Sequence, residues 1–127
     1  MNRFKYILVF IVSMLTIAAF SQEIKFMDTK QNFGFVHEGD TVKLSYELKN
    51  IGNEPLLISN YEVSCGCTVM EKVNTAILPG ETYFLKVTFD THEKYDRQDR
   101  IIKIFSNATN SPSDLRFKGV VLKPNKK

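Results

Sequence analysis

The run Ser64-Cys65-Gly66-Cys67-Thr68 holds both cysteines of a 127-residue chain. Two sulfurs one residue apart can bind a soft metal ion as thiolates, exchange with other disulfides, bridge to each other, or pack as small hydrophobes. In an extended strand, side chains i and i+2 share a face, and their Cα atoms lie near roughly 7 Å, the limit beyond which no disulfide closes. A Cys65–Cys67 bridge therefore needs a bend at Gly66, which glycine permits cheaply but which leaves the bond strained and easier to reduce. Zinc wants four donors. His37, His92 and Met70 are the candidate supplements, and none shares a spaced motif with the cysteines; both histidines read as polar residues beside strands. A nucleophilic thiolate needs a base and an orienting group converging on it. Thioredoxin chemistry uses two intervening residues at a helix start, whereas here there is one, in a β context. The residues favour a structural pair at Cys65 and Cys67, disulfide-bonded or packed as thiols, with Ser64 and Thr68 placed to cap the local turn. Thiol exchange and capture of Cu(I) or zinc by the same two sulfurs stand as alternatives. No catalytic or cofactor-binding residue and no cofactor is assigned.

The redox compartment bears on that choice. Asn2-Arg3-Phe4-Lys5 is a short basic start, Tyr6 to Phe20 is an uncharged apolar run, and Ala19-Phe20-Ser21 places small residues where a signal peptidase inspects them. Residues 1–21 read as a secretory signal cut after Ser21, too short for a span of roughly 20 residues and without a cationic stop. The mature protein is expected in the periplasm or secreted, with no membrane span after cleavage. The full chain carries 17 Lys+Arg against 14 Asp+Glu; Arg3 and Lys5 leave with the signal, so the mature excess is a single charge. The pI of 8.8 reports the signal and the lysine-ended tail. With no basic stripe interleaved with aromatics, nucleic acid is excluded as a partner.

What positions the cysteines is read from the apolar period, which is two almost throughout. Val42, Leu44, Tyr46 and Leu48 alternate with Lys43, Ser45, Glu47 and Lys49; Tyr83, Leu85, Val87 and Phe89 repeat the pattern; Leu115, Phe117, Gly119 and Val121 repeat it again. Ile101 to Phe105 is apolar on both faces, as a central strand would be. Leu56–Ile58 with Tyr61–Val63 supply one or two more strands, and Lys25–Phe35 the first. Leu78-Pro79-Gly80-Glu81 is a type II turn signal. The charged stretch Thr91–Arg100 lacks an apolar stripe and reads as a solvated loop. About seven short antiparallel strands predict an all-β, immunoglobulin-like sandwich over residues 22–122, ending in a disordered tail at 123–127.

The order Phe33-Gly34-Phe35-Val36-His37-Glu38-Gly39-Asp40, Tyr46 to Gly52, Pro55 to Ile58, Ser64 to Thr68, Leu78 to Glu81 and Val87 to Thr91, followed by Lys103 to Asn107 and Leu115 to Gly119, resembles a bacterial family of small exported domains of unknown function. The resemblance runs from about Phe33 to Val121. It implies an immunoglobulin-like fold similar to the ASH and major-sperm-protein domains and to the periplasmic pilus chaperones. Relatives tend to have glycine where this chain has His92 to Arg97, so nothing is carried over for that loop. The expected function is an exported, non-catalytic binding or structural module whose partner is another protein or a component of the cell envelope. The alternative is a periplasmic thiol-redox or copper-handling protein. Asp40-Thr41-Val42 resembles a three-residue O-glycosylation acceptor, but positions this loose recur by chance; Asn107-Ala108-Thr109 fits the N-glycan sequon, whose machinery a bacterial exported protein usually lacks.

Overall fold

The structure, a computed structural model, describes residues 22–124. The signal reading of residues 1–21, the localisation that rests on it, and the tail from 125 onward lie outside the described residues. Eight strands, and no helix among the described residues, form two four-stranded sheets. They are β1 (Ile24–Phe26), β2 (Lys30–His37), β3 (Thr41–Asn50), β4 (Ile58–Val63), β5 (Thr68–Met70), β6 (Thr82–Asp90), β7 (Asp96–Ser106) and β8 (Ser113–Leu122). The first sheet runs β1-β3-β6-β5 and the second β2-β8-β7-β4. The predicted immunoglobulin-like sandwich is present.

Its core is what the period-two reading called for. Tyr46, Leu48, Leu85, Val87 and Phe89 face inward from the first sheet, and Ile102, Ile104, Leu115, Phe117 and Val121 face them from the second. Alternation buries one face and wets the other because successive side chains project to opposite sides. Tyr46 also carries a polar atom into this core. Its hydroxyl donates to the carbonyl of Arg116 across the sandwich at 2.9 Å, which satisfies it and pins one sheet to the other. Leu78-Pro79-Gly80-Glu81 forms the expected turn, closed by the Glu81 amide donating to the Leu78 carbonyl at 2.9 Å, with Gly80 at φ +82°.

Several expectations are corrected. The segment Lys25–Phe35 is not one strand: after β1 the chain crosses to the other sheet and resumes as β2. Not every pair is antiparallel, because β2 runs parallel to β8. Asp96–Arg100, expected in a loop, is the first half of β7. Its polar side chains tolerate a strand because all but the buried Gln98 and half-buried Arg100 lie on the wet face, while the backbone pairs with Phe117–Val121 of β8. Strand β7 is central as predicted, yet its outer apolar residue Ile101 stays 50% exposed. Strand β5, only three residues long, had no signal of its own.

Phe33 and Phe35 show why counting by two fails in β2. Asn32 pairs with Lys118 and Gly34 with Gly119, so Phe33 is an extra, bulged residue. Gly34 takes φ +75°, a conformation glycine reaches at no steric cost. The bulge turns Phe33 inward, where its ring sits 5.9 Å from that of Phe89 and 6.2 Å from that of Phe117. It turns Phe35 outward, leaving that side chain 74% exposed.

Candidate functional site: the disulfide crossover and its flanking edges

The two cysteines lie where the chain changes sheets. β4 is an edge of the second sheet and β5 an edge of the first, and only Ser64–Cys67 separates them. Four residues must therefore carry the backbone around the side of the sandwich. Cys65 and Cys67 are disulfide-bonded, with Cα atoms 5.2 Å apart rather than at the extended distance. The amide of Thr68 donates to the Cys65 carbonyl at 3.2 Å, closing a four-residue turn. The amide of Asp90, at the end of β6, donates to the Cys67 carbonyl at 2.8 Å and ties the turn to the sandwich. Cys67 packs against the core, and both cysteines are half-buried.

The backbone does bend at Gly66, as a bridge requires, but without using glycine's special conformations. Gly66 stays outside the left-handed region, and a Cβ placed on it would meet nothing within 4 Å. The turn is held by the bridge and by its two backbone hydrogen bonds rather than by glycine's freedom. Thr68 does not cap it through its side chain either: the hydroxyl is buried with no hydrogen-bond partner among the described residues, and its backbone amide closes the turn instead.

The other candidate ligands lie elsewhere. His37 ends β2, and exposed His92 lies 3.6 Å from Glu38. Met70 is buried in β5. Among the described residues no group of three or more histidine, cysteine or acidic side chains is arranged to hold a metal ion.

Beside the crossover, an open groove of ≈ 430 Å³ runs between the two edge strands, lined by Ile58 to Tyr61 on one bank and by Met70, Lys72 and Val73 on the other. Ile58, Tyr61 and Val73 are partly buried side chains packed against the core, so the floor of the groove is apolar. No sequence signal marked it, because it arises from two edges brought together by a crossover.

The opposite side of the sandwich is closed. There the amide of Ile24 in β1 donates to the Asn110 side chain at 3.2 Å, and the Asn110 amide group donates back to the Ile24 carbonyl at 2.8 Å. On β2 the amides of Lys30, Gly34 and His37 donate to the side-chain oxygens of Asp28, Asn32 and Asp40.

The chain belongs to the DUF1573 family, proteins of unknown function, which it matches over residues 24–121. No curated protein sequence matches it. Among solved structures it is similar to a protein of unknown function from Porphyromonas gingivalis W83, at 21% identity and TM-score 0.69, over 84% of this chain and 50% of that one. It thus spans about half the length of that protein. It is also similar to the ASH/PapD-like domain 7 of human CEP192, at 10% identity and TM-score 0.63, over 87% of this chain and 93% of that domain. A third neighbour is the YadV chaperone, at 15% identity and TM-score 0.53, over 83% of this chain and 54% of that one. At these identities the likeness establishes the fold alone.

Proposed function

We propose that this DUF1573 domain is an exported, non-catalytic module that binds an extended segment of another protein along the open side of its sandwich, between β4 and β5. The observation that carries the reading is the pairing of two sheet edges with a groove of apolar floor and polar banks between them. An edge strand presents backbone donors and acceptors to an incoming strand, and alternate side chains of that strand find the groove. The disulfide keeps the crossover short, so the banks hold their spacing before the partner arrives, and a preorganised site loses less on binding. The thiols serve the frame in this reading and carry out no chemistry.

The test is hydrogen exchange with partner purified from the native cell envelope. Amides within Ile58–Val63 and Thr68–Met70 are expected to gain protection in the complex. Asn60→Arg and Lys72→Glu, both on exposed groove residues, should weaken binding without shifting the melting temperature. Protection confined to other strands, or unchanged binding by both variants, would refute the edge as the site. A double Cys65→Ser/Cys67→Ser variant that stays folded and binds its partner, yet loses a thiol-exchange or copper-competition activity shown by the wild type, would return the function to the sulfurs.

A further inference from the structure

The outer face of the second sheet carries a feature that the strand-edge reading does not use. Three rows of side chains cross β2, β8 and β7 in register: Phe35–Val120–Arg97, Asn32–Lys118–Asp99 and Lys30–Arg116–Ile101. All of them but Ile101 line two adjoining shallow clefts of ≈ 420 Å³ and ≈ 220 Å³. Lys30, Arg97, Arg116 and Lys118 supply four cations there against one carboxylate, Asp99. Asp99 clamps Arg116 in a two-pronged pair, its Oδ1 accepting from Nε at 2.7 Å and its Oδ2 from the terminal nitrogen. The Arg116 hydrogen bond holds the Asp99 carboxyl below its ordinary range, and the two-pronged contact fixes the plane of the guanidinium. Lys30, Arg97 and Lys118 form no ion pair among the described residues. Beside these cations stands the Phe35 ring, 74% exposed and held outward by the bulge at Phe33.

We infer that this face binds an anionic polysaccharide, with Phe35 as the platform under a sugar ring and Arg97, Lys118 and Lys30 meeting its carboxylate or sulfate groups. Charge complementarity selects an anion, since uncompensated cations on a low-dielectric wall concentrate negative ligands. The choice of glycan over acidic peptide rests on the backbone. β8 lies between two partners, so its amides and carbonyls are used in the ladders to β2 and β7. A peptide laid across this face would gain no main-chain hydrogen bonds, whereas a glycan is recognised by side chains alone. The flat C–H face of a pyranose covers an aromatic ring, and its acid groups reach outward to the flanking cations.

The experiment is calorimetric titration of the purified domain, residues 22–127, with polygalacturonate, and in parallel with neutral dextran and a glutamate-rich peptide. Polygalacturonate is expected to bind at low salt and weaken as salt rises from about 50 to about 300 mM, because exposed charges are then screened. Phe35→Ala should weaken it about tenfold, the upper end of what one stacked ring contributes. Arg97→Ala/Lys118→Ala should weaken it further and flatten the salt dependence. Lys43→Ala/Lys86→Ala, an equal loss of charge on the outer face of the first sheet, should change nothing. All these side chains are on wet faces, and matching melting curves will establish that each variant is folded. Absence of polygalacturonate binding, equal binding by Phe35→Ala, or stronger Phe35-dependent binding of the peptide overturns the inference.

Discussion

Gly119→Ala should destabilise the sandwich through one identifiable contact. Gly119 faces inward on β8, and a Cβ built there would lie 2.3 Å from Cε2, 2.4 Å from Cδ2 and 2.6 Å from Cζ of Phe33. None of these separations is tolerable, so the ring must move. Its present position is fixed by contact with Phe89 and Phe117, which themselves lie 5.2 Å apart. Displacing it forfeits two aromatic contacts worth about 0.5–1.5 kcal/mol each, and overpacked cores generally lose about 1–3 kcal/mol. A loss of about 2 kcal/mol corresponds to a fall of roughly 8–16 °C in the melting temperature of a domain this size. The discriminating assay is a double-mutant cycle in urea. Phe33→Ala is destabilising alone, but it removes the ring that the new methyl would strike. Gly119→Ala should then cost less than about 0.5 kcal/mol in the Phe33→Ala background. Equal costs in the two backgrounds would refute the contact and leave the strand conformation of Gly119 as the cause.

Leu85→Asp should unfold the domain, since an unpaired carboxylate at a fully buried site costs several kcal/mol, comparable with total stability. Its neighbour Lys86 is exposed, and Lys86→Asp should stay within about 0.5 kcal/mol of wild type in the same melts. Replacing Cys65 and Cys67 together by serine should cost about 1–2 kcal/mol, because closing so short a loop restricts the unfolded chain only modestly; complete unfolding would show that the crossover has no other support. Burial, reinforced by the charge of Asp28, pushes the Tyr46 phenol above its ordinary value. The folded form keeps a proton that the unfolded chain releases above about pH 10, so stability intact below that pH should fall as pH rises past it. Tyr46→Phe should lose about 1 kcal/mol at neutral pH with its hydrogen bond, and its urea midpoint should decline less steeply in alkali; parallel declines would assign the effect to other groups.

The sandwich was legible because its long strands are wet on one face. Val42 to Leu48, Tyr83 to Phe89 and Leu115 to Val121 alternate, apart from Phe84 and Val120 on the wet faces, and burial follows that alternation. What the pattern missed is where local chemistry departs from a period of two. One bulged residue in β2 reverses the faces of Phe33 and Phe35, and nothing in Phe-Gly-Phe says which ring goes in. The strand character of Asp96–Arg100 was hidden by charge, since the water-facing side of a sheet accepts polar side chains that a hydrophobicity count assigns to loops. The cysteine pair was visible at once, and its possible bridge was weighed from spacing alone. Its place at a sheet crossover was not visible, because that depends on β4 and β5 joining different sheets. The cationic rows on the second sheet were equally hidden: Lys30, Arg97 and Lys118 are far apart in sequence and meet only through the register of three strands.

The two sides of the sandwich differ in a way that bears on what the protein is for. Each sheet must end somewhere, and an open edge invites pairing with any extended chain. On the side of β1 and β2 that invitation is withdrawn. Asp28, Asn32 and Asp40 occupy amides of β2, the bulge at Phe33 breaks its regular spacing, and Asn110 bonds both polar groups of Ile24. The side of β4 and β5 is blunted too, by a register break at Ser59 and by the shortness of β5, but there a disulfide holds the crossover and a groove with an apolar floor lies between the two edges. The braced crossover and the groove, rather than a difference in edge protection, set this side apart, and the proposed strand-binding reading rests on them.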